Sequence, residues 1–277
     1  MPLHRQGVAV KSRCISIPAI IALAAFAVPA QSRHETSSVK LLIVSGKPVV
    51  DQIYLDGHGP YRFLLDLGSQ TNQLEPELAR KVGLLWKPEV VLYTPSGPSA
   101  VQAGEIGKVR LGGLETFNQE FLIAHCGDLT NLAAPIQGIL GQEFLSHFDY
   151  LLDLKNKRLT VEDAPTTGTR INIHLIYGRM ALPTSVGNLV LDSGAEMLFL
   201  FKESDQPKNT RLMSATGVTT AISVTAAPAI MIAGRVYHPE RVAFQSVAGA
   251  EEAGLLPINL FHSVFISNSQ KFVVLDP

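Results

Sequence analysis

An apolar run that ends in Asp-x-Gly occurs twice in this chain, each time in the same surroundings. Phe63-Leu64-Leu65-Asp66-Leu67-Gly68-Ser69 has a counterpart in Leu189-Val190-Leu191-Asp192-Ser193-Gly194-Ala195. Further landmarks follow each run in the same order. Pro95-Ser96-Gly97 corresponds to Ala215-Thr216-Gly217, and residues 109–113 to 230–234. Gly138-Ile139-Leu140-Gly141 corresponds to Gly254-Leu255-Leu256-Pro257, and residues 158–161 to 271–274. Matches that stay in order over such a length define an internal repeat, which confines the chain to two similar folded halves. The second copy is compressed: Asp66 to Gly138 spans 72 residues and Asp192 to Gly254 spans 62.

Within each copy the segments read as strands. Residues 49–55, 62–67, 89–93, 106–111 and 151–161 are β-branched or alternating and are bounded by Gly, Pro or Asn. Lys155-Asn156-Lys157 suits a hairpin turn within the last of these. One helix is predicted in the first copy, with Leu74, Leu78 and Val82 on one face, Pro76 in its first turn and Gly83 after its end. Its equivalent around residues 201–208 contains Pro207 and lacks helical periodicity, so a short helix or none is expected there. With 22 Gly and 17 Pro, and 46% hydrophobic residues, the composition fits a β-rich globular protein with a sizeable core.

Residues 1–30 have the layout of a secretory signal. Arg5, Lys11 and Arg13 precede an apolar stretch over 15–27, and Val28-Pro29-Ala30 offers a cleavage site. The stretch is short for a membrane span and contains Pro18, which favours cleavage over retention as an anchor. We therefore expect a secreted or periplasmic protein with no stable membrane span after cleavage. Removing this segment leaves 20 basic and 24 acidic residues, a balance that excludes an electrostatic nucleic-acid partner. Cys126 would be the one remaining cysteine, so no intramolecular disulfide is expected, and a packed structural thiol is its simplest role. His58, His125, His147, His174, His238 and His262 show no paired metal-ligand spacing, so a zinc site is not expected. The organisation read from the sequence is a signal over 1–30, a flexible tail over 31–44, a first unit over 45–163, a linker over 164–169 and a second unit over 170–277.

A strand running into Asp-x-Gly presents a carboxylate on a tight turn whose backbone N–H groups approach its oxygens. Two such turns related by a pseudo-twofold axis would bring Asp66 and Asp192 together. Neighbouring carboxyls share a proton, so one can activate water while the other polarises a carbonyl.

On these motifs the chain resembles the retropepsin-like aspartic proteases, in a two-lobed single-chain form. The residues that carry the resemblance are Gly59 through Ser69, Gly138 through Leu145, and Asp192-Ser193-Gly194-Ala195. The resemblance implies an all-β fold of two acid-protease-like β-barrel lobes with a cleft between them and few short helices, and no metal or organic cofactor. It implies a catalytic pair, Asp66 and Asp192, supported by Gly68, Ser69, Ser193 and Gly194. Ser69 is expected to buttress the Asp66 carboxylate, and hairpins carrying Tyr93, Gly97 and Gly217 to act as flaps over a peptide or protein substrate. A monomer would suffice, because one chain supplies both aspartates. The chain departs from the pattern in three places. Leu67 stands where a cross-lobe hydroxyl is usual, Ala195 lacks the hydroxyl that Ser69 has, and Pro257 replaces the glycine found at Gly141. Two functions follow as expectations. One is an exported aspartic endopeptidase. The other is a catalytically silent relative that binds a peptide or envelope component in the cleft.

Overall fold

The repeated apolar runs become strands whose alternate residues face a core, and each ends where Asp-x-Gly turns the chain. The computed structural model describes residues 38–94, 97–126, 135–161, 163–203, 210–215 and 218–277. Strand His58–Leu65 runs from an exposed start to a fully buried end at Phe63, Leu64 and Leu65, and strand Gly187–Asp192 ends in four buried residues. Each lies beside the strand formed by another landmark of the repeat. His58–Leu65 runs parallel to Gly138–Leu140, and Gly187–Asp192 runs parallel to Gly254–Pro257.

Each copy builds one eight-stranded sheet. In the first, the order is Leu42–Val44, Lys47–Leu55, His58–Leu65, Gly138–Leu140, Asn72–Leu74, Leu114–Ile123, Gly97–Leu111 and Leu85–Thr94. Lys47–Leu55 also pairs with Gly97–Leu111, which curls the sheet back on itself. In the second, the order is His174–Ile176, Arg179–Thr184, Gly187–Asp192, Gly254–Pro257, Leu198–Leu200, Arg241–Phe244, Val218–Ala226 and Thr210–Ala215. The long strands Gly97–Leu111 and Leu114–Ile123 have interrupted counterparts. There the path breaks at Pro228 and Pro239, and Ile230–Ile232 pairs with Arg235–Tyr237 as a separate two-stranded sheet. Proline has no N–H to give to a ladder, which accounts for the breaks.

A six-stranded sheet joins the two copies. Its centre is the antiparallel pairing of Tyr150–Asp153 with Ser263–Ser267, one strand from each copy, flanked by Arg158–Val161 and Phe272–Leu275. Lys155-Asn156-Lys157 forms the expected turn, closed by the Asp153 carboxylate accepting from Asn156 N at 2.8 Å. The outer strands of this sheet are Ser38–Lys40 and Arg170–Asn172. Ser38–Lys40 and Leu42–Val44 correct the expectation of a flexible tail through residue 44. Val39 and Leu41 are 1% and 0% exposed, so two apolar side chains hold that segment against the core.

The predicted helix is present as Pro76–Lys81, with Pro at its start, Leu78 and Ala79 buried, and Gly83 beyond its end at φ +66°. Leu74 belongs to the preceding strand rather than to the helix. Residues 201–203 form no helix, and 204–209 lie outside the described residues. A second helix, Gln142–Leu145, follows Gly141, while the equivalent after Pro257 is a single 3-10 turn, Ile258–Leu260. A Cβ at Gly141 would lie 2.4 Å from the Thr71 carbonyl oxygen, so no larger residue fits that crossing. Among the described residues, no helix is long and apolar enough to cross a membrane.

Leu152 is 1% exposed and Val264, opposite it, is 0% exposed, at the seam between the copies. Leu152→Ala should therefore lower unfolding free energy by about 2–5 kcal/mol, read from urea denaturation midpoints.

Candidate active site

Asp66 leaves the end of its strand with its own N–H donating to the Leu140 carbonyl at 2.9 Å. Asp192 is the last residue of its strand and stands opposite Pro257 in the parallel ladder. In each turn the carboxylate folds back onto the backbone. Gly68 N donates to Asp66 Oδ1 at 3.0 Å, and Gly194 N and Ala195 N donate to Asp192 Oδ1 at 2.7 and 2.9 Å.

The two turns face one another closely. A Cβ on Gly68 would lie 2.4 Å from the Asp192 carboxyl carbon, and a Cβ on Gly194 would lie 3.0 Å from Asp66 Oδ2. Each glycine thus leaves room for the carboxyl of the opposite copy, a second duty beyond shaping its own turn. The Asp66 and Asp192 carboxyls are in hydrogen-bonding contact.

One side chain ties the turns together. The Ser193 hydroxyl, 1% exposed, accepts from Leu67 N at 2.8 Å and donates to the Leu65 carbonyl at 2.6 Å. Leu67 returns no such bond. Its side chain is 1% exposed within the core, and its carbonyl accepts from Gln142 Nε2 at 3.0 Å. The clasp is therefore one-sided. Ser69 corrects an expectation: its hydroxyl donates to the Thr71 carbonyl at 2.8 Å and does not buttress the Asp66 carboxylate. The chain bends tightly enough after Ser69 for the nearby carbonyl to capture the hydroxyl first.

Burial raises both carboxyls above their ordinary range. For Asp66 the negative charge of Asp192 adds to burial, and the Gly68 N–H opposes it. For Asp192 burial is countered by the Ala195 and Gly194 amides and by Arg179. Burial and the contact between the two carboxyls together favour a shared proton, so the pair holds one proton between its members. An ionised carboxylate beside a protonated one is the arrangement that can take a proton from water and give one to a carbonyl oxygen.

Basic residues flank the pair in a way the sequence reading missed. Lys47 and Arg179 each follow the glycine of a hairpin, Gly46 and Gly178, just ahead of the strand pair that leads to an aspartate. Lys47 forms an ion pair across the copies with Glu196, four residues beyond Asp192. The matching position beyond Asp66 is the neutral Gln70, against which Gly178 packs. Arg179 pairs instead with Glu252 at 2.7 Å. The repeat of Gly-Lys and Gly-Arg was the available signal. Beside the Asp192 turn lies a cavity of about 390 Å³, lined in part by Glu196, Met197, Arg241, Pro257 and Asn259.

Tyr93 and Gly97 stand at the end of the hairpin Leu85–Thr94 and Gly97–Leu111, whose pairing closes at Thr94 and Gly97. Gly217 lies outside the described residues. Cys126 is 4% exposed, and burial together with the neighbouring Glu75 carboxylate pushes its thiol up, as suits a packed thiol.

Residues 52–144 match the model of a family described as aspartyl protease. The match runs from within strand Lys47–Leu55 into helix Gln142–Leu145 and ends before Asp192. It supports the resemblance to retropepsin-like aspartyl proteases and, generally, a proteolytic function acting on peptides. No curated protein matches the chain.

Ser193→Ala should cost about 1–3 kcal/mol, because the buried Leu67 N–H loses its acceptor. Ser193→Thr should retain most of that stability in the same urea titration. A raised carboxyl also leaves a pH signature. The folded state holds a proton that the unfolded state releases from about pH 4, so this contribution is full below that pH and is lost as pH rises through the raised value. Asp66→Asn should remove that loss, making the variant gain on wild type between pH 4 and neutrality in unfolding experiments.

Proposed function

We propose that this relative of the retropepsin-like aspartyl proteases is an exported endopeptidase that hydrolyses peptide bonds at an Asp66/Asp192 dyad. The observation that carries the reading is the contact between two carboxyls delivered by equivalent strand ends, each turn making room for the other's carboxyl through Gly68 and Gly194. In this reading the copies are two lobes of one protease, and the substrate lies in an extended form across the cleft between them. Asp192, ionised, takes a proton from the attacking water. Asp66, protonated, donates a hydrogen bond to the scissile carbonyl and then its proton to the developing oxyanion. No covalent intermediate forms, and the proton balance is restored when the amine leaves.

Gly68 and Gly194 set the approach of the two carboxyls, and Ser193 fixes the spacing of the turns. The hairpins ending near Tyr93 and Gly97, and near Gly217, would close over the bound peptide. The N-terminal segment 1–30 directs the chain out of the cytoplasm, to the periplasm or beyond. A binding-only reading draws support from Leu67, which leaves the clasp between the turns one-sided. Both carboxyls and both glycines are retained, however, and they are the parts hydrolysis requires.

The test is digestion of an unfolded protein by the chain lacking residues 1–30, from acid to neutral pH. Asp66→Asn and Asp192→Asn should each reduce cleavage by about 10³-fold or more, as loss of an acid–base partner does. Cleavage that survives both substitutions would overturn the dyad.

A further inference from the structure

The two copies put a cation at the same place but neutralise it differently. The antiparallel ladder between Arg179–Thr184 and Gly187–Asp192 pairs Thr184 with Gly187 and Ala181 with Val190. Continued two steps, it sets Arg179 opposite Asp192. The first copy repeats this, since Val49 pairs with Leu64 and two further steps set Lys47 opposite Asp66. Lys47 is drawn away to Glu196 of the other copy. Arg179 has no acid at Gln70 to draw it, and its guanidinium is held within its own copy by Glu252.

That ion pair is enclosed. The Arg179 and Glu252 side chains are 19% and 6% exposed. Only Oε1 of Glu252 accepts from Arg179 Nη2, and Oε2 is buried without a hydrogen-bond partner. The anion is thus anchored behind the cation. Gly194 N and Ala195 N donate to one oxygen of Asp192 at 2.7 and 2.9 Å, while Asp66 accepts from Gly68 N at 3.0 Å and is also approached by the Gly194 amide. The other charged groups around this site are Asp66 in the facing turn, the Lys47–Glu196 pair beyond Ala195, and Glu251, which accepts from the Tyr177 hydroxyl at 2.9 Å. Pro257, the ladder partner of Asp192, brings neither charge nor N–H.

We infer that Arg179, anchored by Glu252, is a positioning residue that makes the dyad unequal, holding Asp192 as the ionised member and leaving the shared proton on Asp66. The inference rests on the dyad reading for its functional meaning, but the charge distribution itself is measurable without catalysis. It assigns Asp192 to water activation and Asp66 to the carbonyl, so the chain is a protease with fixed roles rather than interchangeable ones.

The experiment titrates ¹³C-carboxyl aspartate resonances in the chain lacking residues 1–30. In an Asp66→Asn background, where Asp192 titrates alone, Arg179→Met should raise the Asp192 midpoint by about half a unit or more. Arg179→Lys should restore it. Glu252→Gln keeps the shape and a hydrogen bond while unmasking the cation, and should move the same midpoint down. In an Asp192→Asn background the Asp66 midpoint should move less in every case. A merely structural role would not give opposite shifts for Arg179→Met and Glu252→Gln. If Arg179→Met does not fold, Glu252→Gln and Arg179→Lys carry the test. In the intact dyad, the acid limb of kcat/KM should follow these shifts in sign. An unmoved Asp192 midpoint, or an equal shift at Asp66, overturns the inference whatever the activity. Absence of cleavage together with the expected shifts would instead overturn the protease reading and leave the charge assignment standing.

Discussion

Two carboxyl groups in hydrogen-bonding contact and largely removed from water cannot both be charged without a large penalty, so they hold a proton between them. Everything around Asp66 and Asp192 serves that contact. Two glycines lack the Cβ atoms that would push the turns apart. Parallel neighbours brace the strand ends, through the Asp66 amide on Leu140 and the Asp192 ladder with Pro257. Three backbone amides cradle the oxygens, and one hydroxyl spans the copies. Proximity that raises the energy of the ionised pair is stabilised by the rest of the fold, above all by the sheet in which Tyr150–Asp153 meets Ser263–Ser267.

The repeat supplies approximate symmetry, and the chemistry depends on its breaking. A symmetric pair would leave the proton equally at home on either oxygen. Here Ser193 clasps and Leu67 does not, Glu196 captures Lys47 while Gln70 leaves Arg179 to Glu252, and two amides converge on one Asp192 oxygen. Leu67 is not a simple loss. Its side chain fills buried space where a hydroxyl would need a polar partner, and its amide and carbonyl are satisfied by Ser193 and Gln142.

Much of this architecture was legible beforehand. The strands, the helix from Pro76, the turn at Lys155-Asn156-Lys157 and the delivery of one aspartate per copy on a glycine turn all follow from local pattern and internal repetition. What escaped has identifiable causes. Ser69 stands three residues from Asp66 in sequence, and only the fold of the turn sets its hydroxyl on the Thr71 carbonyl instead. The segment from Ser38 to Val44 carries short apolar runs that look dispensable until a sheet edge and a core are there to receive Val39 and Leu41. Lys47 and Arg179 were legible as a repeat of Gly-basic, but their partners lie far away in the chain.

The sequence by itself determined that there would be two copies, mostly of strands, each delivering one aspartate on a glycine turn, because periodicity, proline and glycine act over a few residues. Only the tertiary structure decided that the carboxyls touch and that one hydroxyl joins the turns. It alone decided, too, that the two basic residues find different partners. Those outcomes depend on contacts between residues 73 positions apart for Arg179 and Glu252, 126 for Leu67 and Ser193 and 149 for Lys47 and Glu196, and on burial, which no local pattern contains. Water is excluded, and charges interact strongly, only once both copies and the sheet between them have formed.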